Sequence, residues 1–351
     1  MPHRRPSARL FALRPDRLDC RRDGPRARDG RGEPTRGRHV LSLLERAAGD
    51  RTVKYLIVTA DDFGLADEVN RAVEIAHVEG VLTAASLMVG APAAAGAVEI
   101  ARRLPRLAVG LHLALVDSPP VLSASAIPDL VDAQGRLRTD MARVGAAISF
   151  LPRVRRQMLA EIRAQFEAFR ATGLKLDHVN AHRHFHVHPS VTTAILDHAA
   201  QFGVRAVRSP LEPRAVLRRI EGGSSRLAAT VARPWAQLQR LRFSRGGLAT
   251  PDQVFGLAWS GAVTQERLEG LISQLPDGVS EIYAHPATAS EFPGSAPGYR
   301  YREELAALTS HQLRREIEAA GLVTGGYADA AQARQPSGQA EQKRSHLRHR
   351  K

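Results

Sequence analysis

Residues Asp177 to Pro189 read DHVNAHRHFHVHP and set five imidazoles, His178, His182, His184, His186 and His188, at even intervals. In a β-strand an even interval puts side chains on one face, and neutral imidazole is the commonest protein ligand for a transition metal. That many polar rings on one face would be costly to bury without a cation, a carboxylate or water. The run therefore predicts a metal site at the end of a strand, with a solvated loop of incidental histidines as the plain alternative.

Other ionisable groups also fall where strands should end. Asp61 and Asp62 follow the apolar run YLIVTA, His112 closes LAVGLH, His178, Asn180 and His182 share a face in LKLDHVNAH, and His285 follows EIYA. Parallel α/β folds assemble their sites at those ends from residues distant in sequence. Fifty residues separate 62 from 112 and seventy separate 112 from 182, so only the fold could bring them together. One carboxylate with two imidazoles leaves coordination positions open, as catalytic sites do, and a divalent ion there would acidify water and polarise a carbonyl oxygen. Of the paired acids one could ligate and the other act as base; capping of the following helix is their ordinary role. For His112 and His285, each taken alone, a satisfied core histidine is the ordinary role.

The elements that must position these groups alternate between strand and helix from about Lys54 to Ala328. Strands are expected at Tyr55–Ala60, Leu82–Val89, Leu107–Leu113, Leu174–Ala181, Val204–Arg208 and Glu281–Ala284. Helices are expected around Val69–Ala76, at Ala93–Arg103, from Pro152 to a stop at Gly173, over Val191–Phe202 closed by Gly203, and over Thr264–Leu275. Repeated β-α units imply an α/β fold with a mainly parallel sheet and right-handed crossovers. Residues 211–257 break the rhythm with a basic, helical insertion: Arg214, Arg218, Arg219, Arg226, Arg233, Arg240, Arg242 and Arg245 accompany Trp235, Leu227, Leu238 and Leu241. It reads as a helix packed back on the body with solvated arginines, or as an interfacial helix or substrate lid.

A chain of 351 residues with 43% hydrophobic content suits a single α/β barrel with a sizeable core. The net charge of +14 is uneven. Residues 1–50 carry 13 Arg against 7 acidic residues, and 331–351 carry six Lys/Arg against one Glu, which leaves the body nearly balanced. Both ends read as disordered, giving domains 1–50, 51–330 and 331–351. Aromatics that could stack bases are not interleaved with the arginines, so no nucleic acid is expected. The single Cys20 fits a reducing cytoplasm.

Taken together, TADDFGL (Thr59–Leu65), VGLHL (Val109–Leu113), DHVNAHRHFHVHP and EIYAHP (Glu281–Pro286) resemble the YdjC-like carbohydrate deacetylases, which include the chitooligosaccharide deacetylases. The match runs from about Val53 to Tyr327. VLTAASLMVGAPAA and LPRVRRQMLAEIRAQFEAFRATGL are closer to the branch associated with hopanoid biosynthesis, for which the substrate is an N-acetylglucosaminyl hopanoid. The resemblance implies an irregular, TIM-like (β/α) barrel and a divalent metal, Mg2+ or Zn2+. It implies Asp62, His112 and His182 as ligands, Asp61 as general base, and His285 as proton donor to the leaving amine. Around them it leaves His178, Asn180, His184, His186 and Arg183 for substrate contact or support; Asn180 stands where the chitooligosaccharide branch has an aspartate. The expected function is removal of an N-acetyl group from a sugar, lipid-linked at a cytoplasmic membrane face, by a possible homo-oligomer. The rivals are a metal hydrolase of another amide or a phosphoester, for which only Arg183 is obviously placed, and a non-catalytic metal- or lipid-binding protein.

Overall fold

Runs such as YLIVTA, with Thr59 the one polar interruption, form strands covered on both faces. The computed structural model describes residues 54–221 and 228–334. The extension expected over 1–50, Arg226 and Leu227 of the insertion, and residues 335–351 of the tail lie outside the described residues. In chain order the elements are β1 (Lys54–Phe63), α1 (Asp67–Val78), β2 (Ala84–Leu87), α2 (Ala94–Arg103), β3 (Ala108–Leu113), α3 (Met141–Phe150) and α4 (Pro152–Ala171). There follow β4 (Val179–Ala181), α5 (Pro189–Phe202), α6 (Arg214–Glu221), α7 (Ala228–Arg245), β5 (Gln253–Phe255), α8 (Gln265–Gln274) and β6 (Gly278–Ala284). The last are α9 (Tyr301–Leu308), α10 (His311–Ala319), β7 (Val323–Thr324) and α11 (Tyr327–Ala333).

The strands make one parallel sheet in the order β4-β3-β2-β1-β6-β5, with β7 pairing the start of β1. The sheet curls into a partial barrel inside its helices. Between its edge strands lies segment 205–211: Arg208 N–H donates to the Val179 carbonyl and Val207 N–H to that of Ala249, at 3.0 and 2.9 Å. The strand expected at Val204–Arg208 thus exists only as isolated bridges. Two further expectations are corrected. The strand expected over Leu174–Ala181 is only Val179–Ala181, because Asp177 turns away to take the backbone N–H groups of Tyr327 and Ala328 at the start of α11. The irregular stretch 211–257 contains β5, so the helical insertion is only α6 and α7.

Strand alternation sorts the interior. Ile57, Ala84, Ala206 and Val279 pack with Tyr327 and Ala330 of α11, which plugs one end of the barrel. Two or four residues further along the same strands and along segment 205–211 stand Asp61, Ser86, Arg208, Glu281 and Tyr283, all buried. The intervening Leu56, Val58 and Ala60 face the helices in the main core. Gly110 in β3 is required by close approach, since a β-carbon there would lie 2.5 Å from the His178 ring.

Candidate active site

The inward parity of β1 carries Asp61, while Asp62, one residue on, should point to the helices. It does not, because Asp62 has a left-handed backbone (φ 61°) where the pairing with β2 shifts register. A bulge of this kind re-aims a side chain, and here it turns both adjacent carboxylates inward. Asp62, Asp117, Arg183 and His184 are the non-glycine residues with positive φ among the described residues. All four line one cavity of about 330 Å³ at the C-terminal ends of the strands. Such backbone strain concentrates where a site demands it.

Asp62, His112 and His182 offer ligand atoms all within 4.8 Å of one another. Asp62 Oδ1 is 2.9 Å from His182 Nδ1 and 3.2 Å from His112 Nε2. Asn180 fixes the tautomer of His112. Its amide nitrogen donates to Asp61 Oδ1 at 3.0 Å, which a carboxylate can only accept, so its oxygen faces His112 Nδ1 at 2.7 Å and takes that N–H. The Nε2 of a neutral His112 then presents a lone pair to a carboxylate oxygen. That confrontation calls for a proton or a cation between them. The donor set of one carboxylate and two imidazoles therefore fits a divalent ion.

Asp61 has different company. Arg208, fully buried, spans Asp61 Oδ2 and Oδ1 at 2.5 and 3.0 Å and Glu281 Oε1 at 2.6 Å, and lies over the Tyr283 ring at 4.4 Å. Burial opposes ionisation of Asp61, yet Arg208, with His112 and His285, holds its carboxyl well below the usual carboxylate range. For Asp62 burial is likewise outweighed by His182 and His112. Burial would lower the pKa of His112, but Asp61 and Asp62 raise it above its ordinary value. Burial carries His285 the other way, below its ordinary value, with only partial relief from the two aspartates. Its backbone N–H is held by Glu304, whose carboxyl burial pushes up to about 7.

The histidine run divides, contrary to the single strand face expected. After Ala181 the chain enters a 3-10 turn, His182–Val187, with left-handed Arg183 and His184. His182 joins Asp62 and His112. His184 reaches the Tyr283 hydroxyl at 2.8 Å on the cavity wall. His186 turns away, its Nε2 3.0 Å from the Arg208 carbonyl, and burial takes its pKa down to about 3. His188 caps α5 through Nδ1, which accepts the Ser190 N–H. His178 lies beneath the site against Ser86, and Arg183 lines the cavity paired with Asp117. Ser86, Arg208, Glu281 and Tyr283 are site residues that the sequence reading missed. Arg208 ends the expected strand VRAVR and could have been found by the strand-end rule, and Glu281 stands out as a charge within an apolar strand.

The family model described as YdjC-like protein matches residues 55–319. A carbohydrate deacetylase of Brevibacillus brevis is 31% identical over 75% of this chain and 94% of its own. Those of Geobacillus stearothermophilus and Homo sapiens are also 31% identical, over 77% and 76% of this chain and 95% and 88% of theirs. A crystal structure from Enterococcus faecalis V583, named for cellobiose-phosphate cleavage, superposes with a TM-score of 0.60 at 24% identity, over 80% of this chain and 99% of its own, a likeness that speaks to the fold. On the extent of the family match and of these relatives, the chain belongs to the YdjC-like family.

Proposed function

We propose that the protein is a metal-dependent hydrolase that removes the acetyl group from an N-acetylated sugar. The observation that carries this reading is the convergence of Asp62, His112 and His182 within 4.8 Å, beside an ionised Asp61, in one strained cavity. The relatives named carbohydrate deacetylases support the reaction class. Asp62, His112 and His182 would hold the ion. A divalent cation supplies Lewis acidity there, towards water and towards the acetyl carbonyl oxygen. Asp61, kept ionised by Arg208, accepts the proton that the attacking water loses. His285 is neutral at rest, so the proton that Asp61 takes from the water must be handed on to it before it can protonate the departing nitrogen. Acetate and a free amine leave.

Tyr283, Tyr299 and Tyr301 on the cavity wall offer ring faces and hydroxyls to a sugar. A phosphoester substrate is disfavoured because Arg183 is the single Arg or Lys among the lining residues and is already paired with Asp117. The likeness to the hopanoid-associated branch extends the proposal to a lipid-linked sugar, an N-acetylglucosaminyl hopanoid, met at a cytoplasmic membrane face. On α7, Trp235, Leu238 and Leu241 are 52%, 46% and 45% exposed, with Arg233 and Arg245 exposed beside them, a composition suited to peripheral contact with anionic lipid. No helix among the described residues is long and apolar enough to cross a membrane.

The test is acetate release by the purified full chain from N-acetylglucosaminyl hopanoid and from N,N′-diacetylchitobiose, with and without chelator. Release from at least one substrate, abolished by chelator and restored by Zn2+ or Mg2+, is expected. Release that ignores the chelator removes the metal, and no acetate from either substrate overturns the proposal.

A further inference from the structure

Below the cavity a line of buried polar side chains crosses the barrel from its opposite end. Asp177 accepts the backbone N–H groups of Tyr327 and Ala328 at 3.1 and 3.0 Å. Its Oδ2 lies 3.0 Å from His178 Nδ1; His178 Nε2 lies 3.0 Å from Ser86 Oγ; and Ser86 Oγ receives the Asn180 amide N–H at 2.8 Å. Asn180 meets Asp61 and His112 as already described. His178, Ser86 and Asn180 are each 0% exposed, so bulk water does not reach them and each relies on its partners in the protein.

The direction of every bond follows from the two ends. Asp177 can only accept, so His178 Nδ1 carries a proton, and in the neutral ring Nε2 is then bare. A bare Nε2 must accept, so the Ser86 hydroxyl donates to it and its oxygen is left to accept from Asn180. From the other end, Asp61 can only accept, so the Asn180 amide nitrogen faces it and the amide oxygen faces His112. One orientation of Asn180 satisfies both ends, and both amide hydrogens are used, one on Asp61 and one on Ser86. A flipped amide would set its oxygen against the Asp61 carboxylate and its nitrogen against the His112 N–H. The sequence makes room for the line: the His178 ring fills the space above Gly110 and stacks on Tyr327 at 4.3 Å and 17°.

We propose that Ser86 and His178 are positioning residues for the metal ligand His112: they lock the Asn180 amide in the one orientation that keeps the His112 proton on Nδ1 and leaves Nε2 bare to bind. The inference rests on the reading of Asp62, His112 and His182 as ligands. Neither Ser86 nor His178 touches the ion or the substrate. They act through Asn180, and groups standing behind a ligand typically tune metal affinity by 10- to 100-fold.

The experiment measures Zn2+ affinity by competition titration on the full chain. Ser86→Ala and His178→Phe, which keeps the ring's stack but loses its acceptor, are each expected to weaken Zn2+ binding roughly 10-fold. The double variant should lose no more than the larger single loss, because one line is broken once. His178→Gln, with an amide oxygen in reach of Ser86, should recover near wild-type affinity. Additive losses, or variants that lower the melting temperature while binding Zn2+ as wild type does, overturn the proposal. Should the variants fail to fold, nitrogen NMR of the wild-type chain labelled at histidine still decides. It should show His178 protonated at Nδ1 and bare at Nε2, and the opposite tautomer overturns the proposal. A wild-type chain that takes up no Zn2+ or other divalent ion removes the metal-site reading itself, whereas normal uptake by wild type and variants alike removes the positioning role alone.

Discussion

Asp61 and Asp62 are adjacent, both buried in the same cavity wall, and electrostatically unlike. Asp61 faces Arg208, which also satisfies Glu281, so its charge is matched by a cation of the protein. Asp62 faces two imidazoles and, among the described residues, no Lys or Arg. A buried carboxylate is costly without a positive partner. The protein supplies that partner on one side and leaves the other to whatever cation the imidazoles can share. An added ion therefore belongs beside Asp62, and two neighbouring acids need not share one role.

Variants on either side probe this contrast. Asp61→Asn is expected to cut acetate release by about 10²–10⁴-fold, the usual worth of a positioned base, while Zn2+ titration shows binding retained. Asp62→Asn should reverse the pattern by losing the ion itself. Equal metal loss in both variants would erase the distinction. Arg208→Met strands two carboxylates and should cost about 3–5 kcal/mol in urea unfolding; a neutral result would show that Asp61 does not depend on its internal cation. A third comparison uses His186, which shares the sequence run with His182 but is held neutral behind the site. Its folded pKa of about 3 lies below the ordinary 6.5, so below pH 6.5 the unfolded chain binds a proton that the folded one refuses. Stability should therefore fall as pH drops from 6.5 towards 3, with a limiting slope of about 1.4 kcal/mol per pH unit from this group. His186→Gln should flatten that slope, measured by urea midpoints at pH 7 and pH 5. The smallest effect is expected at α7, where Trp235→Ala should change stability by less than about 0.5 kcal/mol. The same change should weaken sedimentation with anionic vesicles if α7 meets a lipid surface, and unchanged vesicle binding would detach α7 from that role.

Much of the scaffold was legible because apolar runs and stop signals are local. The run YLIVTA is a strand, Pro152 opens α4, and Gly203, at φ 68°, closes α5. The rule that parallel folds gather chemistry at the ends of strands also picked Asp62, His112 and His182 out of separate motifs. Less legible was the fate of the histidine run, since even spacing has meaning only while the strand continues, and this strand stops at Ala181. Arg208 stands at the end of an expected strand, but nothing local marks it as buried; only the position of its segment between the sheet's edges makes it an ion-pair centre.

By itself, then, the chain's order of residues determined which groups stand on the inward side of each strand, because side-chain alternation is a property of the backbone. Tertiary structure alone decided which of them meet. The left-handed turn at Asp62, the 3-10 turn after Ala181 and the placing of Arg208 behind Asp61 depend on neighbours up to about 150 residues away, and long-range contact leaves no mark in local periodicity.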